Sequence, residues 1–432
     1  MILRGYPPVS IIIRAKDERA WIRHTLEMTL TQTLPPHEII LVDNGSKDGT
    51  VEVAKKMGVN LVLEITEYTP GKALNLGASR ASGEILVFLS AHCVPVRADW
   101  LENLVRPFSD KRVAGVYGRQ VPLDYSSPSD KRDLHLAFGP ESVRQEKNPY
   151  FHNANSAVRY SAWSVNKFDE ELTNIEDWVW GKRIIDGGSV LHYSADAEVF
   201  HFNGLHRSSD PVRERNAVRI IEKEKAVEGA SAQLPGSLRI ENRRNIALIP
   251  FSRENFETPS FMQQLEVTIR EILHSNFIEN VLLICDGDLN RGYPELGFFD
   301  RQLIPNADDL PVDELCQEVA RKVFIEDFQV DFAVYCNWRS ADRPEGILDQ
   351  LVRQAVEGGF DTVFAGIENF SHLWVADKNG SFERIDSPLV AREKKTSNYL
   401  AKYGWGTVVE VSSLVRNGFP SGRVGIIGIP DR

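Results

Sequence analysis

ILVFLSAHCVP, residues Ile85–Pro95, is the stretch from which the fold of the first half follows. Ile85 to Leu89 are continuously apolar, Gly83 stands before them, and the run breaks into Ser90, Ala91 and His92 before Pro95. A short apolar run between a glycine and a proline predicts a strand buried on both faces. In open α/β sheets, ligands bind beyond the carboxyl ends of the strands. Ser90, Ala91 and His92 are therefore the expected centre of the chemistry.

Upstream, the same rhythm repeats. Val9–Ile13 is β-rich and ends in the charged loop Arg14–Glu18. Trp21, Ile22, Thr25, Leu26 and Leu30 recur at helical spacing, and Pro35-Pro36 stops the run. Glu38–Val42 predicts a second strand ending at Asp43-Asn44-Gly45-Ser46, and Ser46–Thr50 supplies turn and cap residues for a helix through Lys56. Val59–Leu63 predicts a third strand, and Gly71–Ala81 a helix leading back to Ile85. Strand and helix alternating in this way predict a parallel sheet with right-handed crossovers.

Downstream, Trp100–Phe108 reads as a helix and Val113–Tyr117 as extended chain. Charges, prolines and serines mark Pro122–Pro149 as irregular. Glu170–Asp186 has a helical pattern, and Val190–Phe202 predicts one or two strands containing His201. Residues 208–243 are expected to hold a helix, Pro211–Val227, and a linker of small residues, Gly229–Gly236. The domains expected are thus 1–207 and 244–432. The second opens like the first, with a strand (IALIPF), a polar loop (SRENF), a helix (Phe261–His274) and a strand ending in an acid (NVLLICDGD). Asp43 and Asp286 occupy comparable places in the two halves.

A chain of 432 residues is long enough for two or three domains. Its 42% hydrophobic and 26% charged residues place it among soluble globular proteins. A net charge of −11 argues against a protein that grips nucleic acid through its phosphates. Cys93, Cys285, Cys316 and Cys336 show no paired or metal-type spacing, which predicts buried free thiols in a reducing compartment. MILRGYPPVSIIIR is too short and too charged for a signal peptide, and no apolar run reaches the length of a membrane span. A cytoplasmic protein is expected, with peripheral membrane contact left open.

Several polar residues have two readings. The Asp43 carboxylate can accept hydrogen bonds from a nucleobase or ribose, with Asn44 beside it, or it can close the turn before the next helix. Lys72, at the start of a predicted helix, suits a phosphate or is a solvated surface lysine. Ser90 and His92 can meet phosphate or a divalent cation, or serve as hydrogen-bonded structural groups. Glu176-Asp177, beside Trp178 and Trp180, can present one carboxylate as a general base with a pKa raised by burial, or pair with Lys182 or Arg183. His201 can reach the same pocket or stay in the core.

Taken together, Val9–His201 resembles the family-2 inverting glycosyltransferases of GT-A fold. The matching stretches are VSIIIRAKDE, EIILVDNGSKDGT, GKALNLGASRASGEILVFLSAHCVP, FHNANSAVRYSAW and FDEELTNIEDWVWGKRI, in the family's order. The resemblance implies Asp43 and Asn44 at the nucleobase or ribose, with Arg14 and Glu18 nearby and Lys72 near the nucleotide. It implies Asn153 and Asn155 in the sugar pocket, Asp177 as general base with Glu176 beside it, and His201 as a metal ligand. Ser90–His92 takes the place of the family's Asp-x-Asp, so both carboxylates that hold the metal there are absent. That change favours Mn²⁺ over Mg²⁺, through His92 and His201, or management of the phosphate charge without metal.

The second half resembles cytidylyltransferases that make CMP-activated acidic sugars, a second Rossmann-like α/β domain. Its nucleotide loop is reduced to SRENF, so the expectation is a degenerate domain. The implied function is transfer of a sugar from a nucleotide-sugar donor to a glycan or lipid-linked acceptor, in bacterial surface polysaccharide synthesis. Self-association is left open, and two alternatives stand beside this function. One is a bifunctional transferase and CMP-sugar synthetase; the other is a scaffold that binds nucleotide sugar without turnover.

Overall fold

A computed structural model describes residues 6–172, 175–202, 236–286, 296–325, 329–370, 374–376, 382–384 and 397–430. The chain divides into two compact units: Met1–Asn242 with Ile325–Phe328, and Arg243–Phe324 with Gln329–Arg432. The expected helix Pro211–Val227 and most of the linker lie outside the described residues.

The strands of the first unit are β1 (Val9–Ala15), β2 (Glu38–Asp43), β3 (Leu61–Glu64), β4 (Ile85–Ser90), β5 (Cys93–Pro95), β6 (Val113–Val121), β7 (Val143–Gln145), β8 (Asn155–Arg159) and β9 (Val190–His201). Its helices are α1 (Arg19–Leu30), α2 (Thr50–Lys56), α3 (Pro70–Arg80), α4 (Trp100–Val105), α5 (Pro128–Ala137), α6 (Tyr160–Val165) and α7 (Glu176–Asp186). The sheet runs β3-β2-β1-β4-β8-β6-β9-β5, with β7 also paired to β9.

Successive residues of a strand face opposite sides of the sheet, so a strand covered on both faces is apolar throughout. Ile85, Val87 and Leu89 join Ile11, Ile13, Ile22, Leu26 and Trp100 in one core. Leu86 and Phe88 join Ile12, Leu74, Trp163 and Trp180 in the other. This is why the opening stretch carries no polar residue before Ser90.

Three expectations are corrected. The sheet is mixed: β1 to β4 are parallel, but β8 lies antiparallel between β4 and β6. The segment expected to be irregular contains α5 and β7; Pro128 starts α5, and the Ser127 hydroxyl accepts from the Asp130 N–H at 3.2 Å. The helix expected from Glu170 starts at Glu176. Asn75 pins the preceding segment, bonding the Phe168 carbonyl and the Glu170 carboxylate, each at 2.9 Å, and so keeps it from coiling.

The second unit contains β10 (Arg244–Pro250), β11 (Asn280–Cys285), β12 (Gly297–Asp300), β13 (Val330–Tyr335), β14 (Thr362–Asn369), β15 (Trp374–Ala376), β16 (Phe382–Arg384), β17 (Asn398–Ala401), β18 (Thr407–Glu410) and β19 (Val424–Pro430). Its helices are α8 (Phe261–Leu273), α9 (Val312–Val323), α10 (Ile347–Gly358) and α11 (Val411–Asn417). The main sheet runs β12-β11-β10-β13-β18-β14-β17, with β19 also on β14.

Seven strands of each unit correspond in order and direction. β10 to β13 match β1 to β4, all parallel. β18 lies antiparallel between β13 and β14, as β8 does between β4 and β6, and β19 runs parallel to β14, as β9 does to β6. The echo in the sequence is therefore an echo of topology. Between the matched strands the units differ in several intervals, one of them the interval after β8 and β18. Between β8 and β9 lie two helices, α6 and α7; between β18 and β19 lies α11 alone. Among the described residues, no helix is long and apolar enough to cross a membrane.

Candidate active site

Two loops form the floor at the carboxyl ends of β1 and β2. Asn44 N–H donates to the Ala15 carbonyl at 3.0 Å, Asp17 N–H to Ser46 Oγ at 2.8 Å, Glu18 N–H to Thr50 Oγ1 at 2.8 Å and Arg19 N–H to Asp48 Oδ2 at 3.0 Å. Backbone groups that would otherwise need water are satisfied, so the loops are held in one arrangement. Asp43 is 4% exposed, and its two oxygens accept from Ser46 N–H and Oγ at 2.9 and 2.6 Å. Its role within the chain is to close this turn. Glu18 Oε1 is 2.7 Å from His92 Nδ1.

Ser90 ends β4, and its N–H donates to the Ala154 carbonyl at 3.0 Å. His92 follows, its ring stacked on that of His201 with centroids 5.1 Å apart. Antiparallel pairing of β5 with β9 sets Cys93 opposite His201. The ligand atoms of His92, Cys93 and His201 all lie within 4.8 Å of one another. His201 is 5% exposed; burial, then the neighbouring His92 and His152, hold its pKa well below the usual histidine range. Cys93 is fully buried, which pushes its thiol pKa up.

The acid pair opens α7. Asp177 Oδ2 accepts from Asn153 N–H at 3.2 Å and Oδ1 from Trp178 N–H at 2.8 Å. Burial raises the Asp177 pKa above the ordinary aspartate range, against these two N–H donors and the Arg14 guanidinium. Glu176, 6% exposed, is raised by burial and by the charge of Asp177, with Arg14 opposing. Tyr150 is pushed up to about 12 by burial and by Asp177, so it stays a neutral hydroxyl. Arg14 is thus placed electrostatically against the acids, its Nη2 3.4 Å from the Asn153 carbonyl. Arg14 Nε is a buried donor with no hydrogen-bond partner among the described residues, and the Asn153 side chain bonds toward Glu176, favouring its charged form. A buried donor left over beside a reactive carboxylate is what a polar ligand would complete.

Two further expected residues have partners within the chain. Asn155 is fully buried: its Nδ2 donates to the Ala197 and Arg119 carbonyls at 2.9 and 3.2 Å, and its Oδ1 accepts from Trp100 Nε1 at 3.0 Å. It fastens β8 to β6, β9 and α4. Lys72 lies 3.4 Å from Glu67, and the Thr69 hydroxyl caps its N–H at 3.2 Å. Asp286 in the second unit pairs with Arg301 at 3.5 Å.

Sequence reasoning missed Gln120. It is 1% exposed, with Oε1 2.6 Å from His201 Nδ1 and Nε2 3.0 Å from His152 Nδ1. His152 was visible in FHNANSA, but no local pattern singles out a glutamine in β6.

Residues 10–166 match the sequence pattern of the family described as Glycosyl transferase family 2, and the acid pair lies just beyond that stretch. The O-antigen chain rhamnosyltransferase RfbN of Salmonella typhimurium is 25% identical over 206 residues, covering 45% of this chain and 66% of that protein. Glycosyltransferase AglE of Haloferax volcanii is 31% identical over 200 residues, covering 44% of this chain and 65% of that protein. The chain therefore spans slightly less than two thirds of the length of either relative. Among solved structures, the mannosyltransferase PcManGT of Pyrobaculum calidifontis, in complex with GDP-Man and Mn²⁺, aligns at 21% identity and a TM-score of 0.39. That alignment covers 53% of this chain and 67% of the other.

Proposed function

We propose that this chain, whose N-terminal region is a glycosyl transferase family 2 domain, moves a sugar from a nucleotide-sugar donor to an acceptor hydroxyl with inversion. The mixed α/β sheet of that region is GT-A-like. The observation that carries the reading is the acid pair, Glu176 buried and Asp177 half-buried, raised in pKa and anchored to Asn153, with the unspent Arg14 Nε donor beside it. Asp177 takes the proton of the acceptor hydroxyl, the oxygen attacks the anomeric carbon, and the bond from that carbon to the nucleoside diphosphate breaks. A base with a raised pKa is the stronger base once ionised, and the Arg14 charge favours the ionised form. Positioning of the acceptor and stabilisation of the leaving diphosphate supply much of the remaining rate.

The His92–Cys93–His201 cluster fits a divalent cation that accepts nitrogen ligands. Its nearest carboxylate, Glu18, already holds His92. Such a donor set suits Mn²⁺ or softer ions better than Mg²⁺, which requires oxygen ligands. A cation held by His92 and His201 would supply positive charge against the diphosphate. On the donor side we retain Asn44, Ser90 and Lys72, with Asp43 shaping the turn. The name of the Salmonella relative points to an O-antigen type of glycan as acceptor, which would place the reaction at the inner face of a membrane.

The second unit is assigned no catalysis. It lacks a counterpart of α7 among the described residues. Its SRENF stretch folds into a 3₁₀ turn, Arg253–Glu257, whose cap uses Ser252 and Asn255 on each other. Phe256 packs on Phe261 and Phe251 beside it. The full chain is expected to consume no CTP in a pyrophosphate-release assay; release would restore the bifunctional reading.

The test is a thermal-shift panel of nucleoside diphosphates and nucleotide sugars with Mn²⁺, Mg²⁺ or EDTA. A ligand at about a hundred times its dissociation constant adds roughly 2.7 kcal/mol. One diphosphate should stabilise the protein, more with Mn²⁺ than with Mg²⁺. No shift with any donor would turn the assignment to the scaffold. Transfer should also lose rate on acidification at a pH above the ordinary aspartate range near about 3.9, because the base must be ionised and its pKa is raised. A pH–rate profile whose acid limb lies at or below that range would remove Asp177 from the role.

A further inference from the structure

Gln120 joins two histidines, and its orientation is decided by a third group. The backbone N–H of Ala154 donates to His152 Nδ1 at 3.4 Å, so that nitrogen is an acceptor. Gln120 must then turn its NH₂ toward His152 Nδ1, 3.0 Å away, because its carbonyl there would face a second acceptor. This leaves the Gln120 carbonyl oxygen 2.6 Å from His201 Nδ1. A carbonyl only accepts, so His201 carries its proton on Nδ1 and keeps the lone pair on Nε2. On the other ring, the Glu18 carboxylate, 2.7 Å from His92 Nδ1, imposes the same tautomer. Two stacked imidazoles are thereby set with both Nε2 atoms as electron-pair donors.

We propose that Gln120 is a positioning residue that locks His201 in its Nδ1–H tautomer, so that His92 and His201 offer Nε2 to one nitrogen-preferring divalent cation. The inference rests on the cation reading given above. It adds a residue that touches neither substrate nor cation, oriented from the backbone of Ala154 through His152. Partners of this kind, bonded to the far nitrogen of a metal-binding histidine, fix ring orientation and ligand basicity.

The experiment titrates the metal-free full chain with Co²⁺, following the visible d–d absorption. Wild type should develop ligand-field bands and bind stoichiometrically or nearly so. Gln120→Leu should weaken Co²⁺ binding by about 10–100-fold, the usual cost of losing such a partner. Gln120→Glu combined with His152→Phe, which keeps an acceptor at His201 Nδ1 and removes the opposing acceptor, should stay within about threefold of wild type if the proton lock is the cause. His152→Phe keeps Gln120 but frees its amide to turn, and should weaken binding in the same direction; it also serves if Gln120→Leu does not fold. Unchanged Co²⁺ affinity and spectrum in folded Gln120→Leu and in His152→Phe would overturn the proposal. Absence of Co²⁺ binding by wild type would overturn the cation reading and this inference with it, while donor binding in EDTA would leave the transferase reading standing.

Discussion

Asp177→Asn is expected to lower sugar transfer by about 10²–10⁴-fold, the range for removing a positioned general base. Nucleotide binding by thermal shift should be kept, since the amide is isosteric and its oxygen can still accept from Asn153 or Trp178 N–H. The same change should affect stability in the opposite sense. A buried carboxyl whose folded-state pKa is raised costs stability once ionised, and this cost appears as pH rises through the unfolded and then the folded pKa. The variant, which carries no charge, should therefore unfold at a higher temperature than wild type at neutral pH, and the difference should shrink on acidification. An active site held at the expense of stability behaves in this way. Transfer by Asp177→Asn at the wild-type rate would take the base role from this residue.

Gly71→Ala is expected to damage both fold and activity. A Cβ at this position would lie 1.9 Å from the Asp169 carbonyl oxygen and 2.7 Å from its carbon, so backbone must move. The cost should fall at the upper end of overpacking, about 3 kcal/mol, which lowers the midpoint of a unit of this size by roughly 6–12 °C. The segment forced away is the one that Thr69 and Asn75 fasten, through the Glu170 carbonyl at 2.7 Å and the Phe168 carbonyl at 2.9 Å. It leads toward Glu176 and Asp177, so transfer should fall even at temperatures where the variant is folded. Gly139→Ala, which would meet nothing within 4 Å, is the matched control and should change neither property. Equal melting of Gly71→Ala and wild type would mean that the segment is not held as described.

The second unit gains its interest from the comparison with the first. Seven strands agree in order and direction, yet fold alone carries no function. Among the intervals in which the units differ, one bears on the chemistry. The chemistry assigned to the first depends on α7, and the interval from β18 to β19 holds only α11 and a short turn.

Strands and helices near Ile85 were legible because their signals are local. A strand sandwiched between two cores must be apolar along its covered length, and Ile11–Ile13 of β1, Ile39–Val42 of β2 and Ile85–Leu89 of β4 are. His92 stood out because it follows the end of such a strand, and Glu176-Asp177 because two adjacent carboxylates stand beside Trp178 and Trp180. The strand order beyond β4 was not legible. Whether a late strand inserts antiparallel beside β4 depends on pairing between segments some seventy residues apart. Nor could sequence tell a ligand-facing polar group from one spent inside the fold. Asp43 and Asn155 look alike as candidates, yet one closes a turn and the other ties four elements together. Local composition thus determined where buried strands end and which polar residues stand there. Only the tertiary structure decided which of those residues keep hydrogen-bonding capacity for a ligand, because that depends on distant chain, such as the Ala154 N–H and Gln120, arriving beside them.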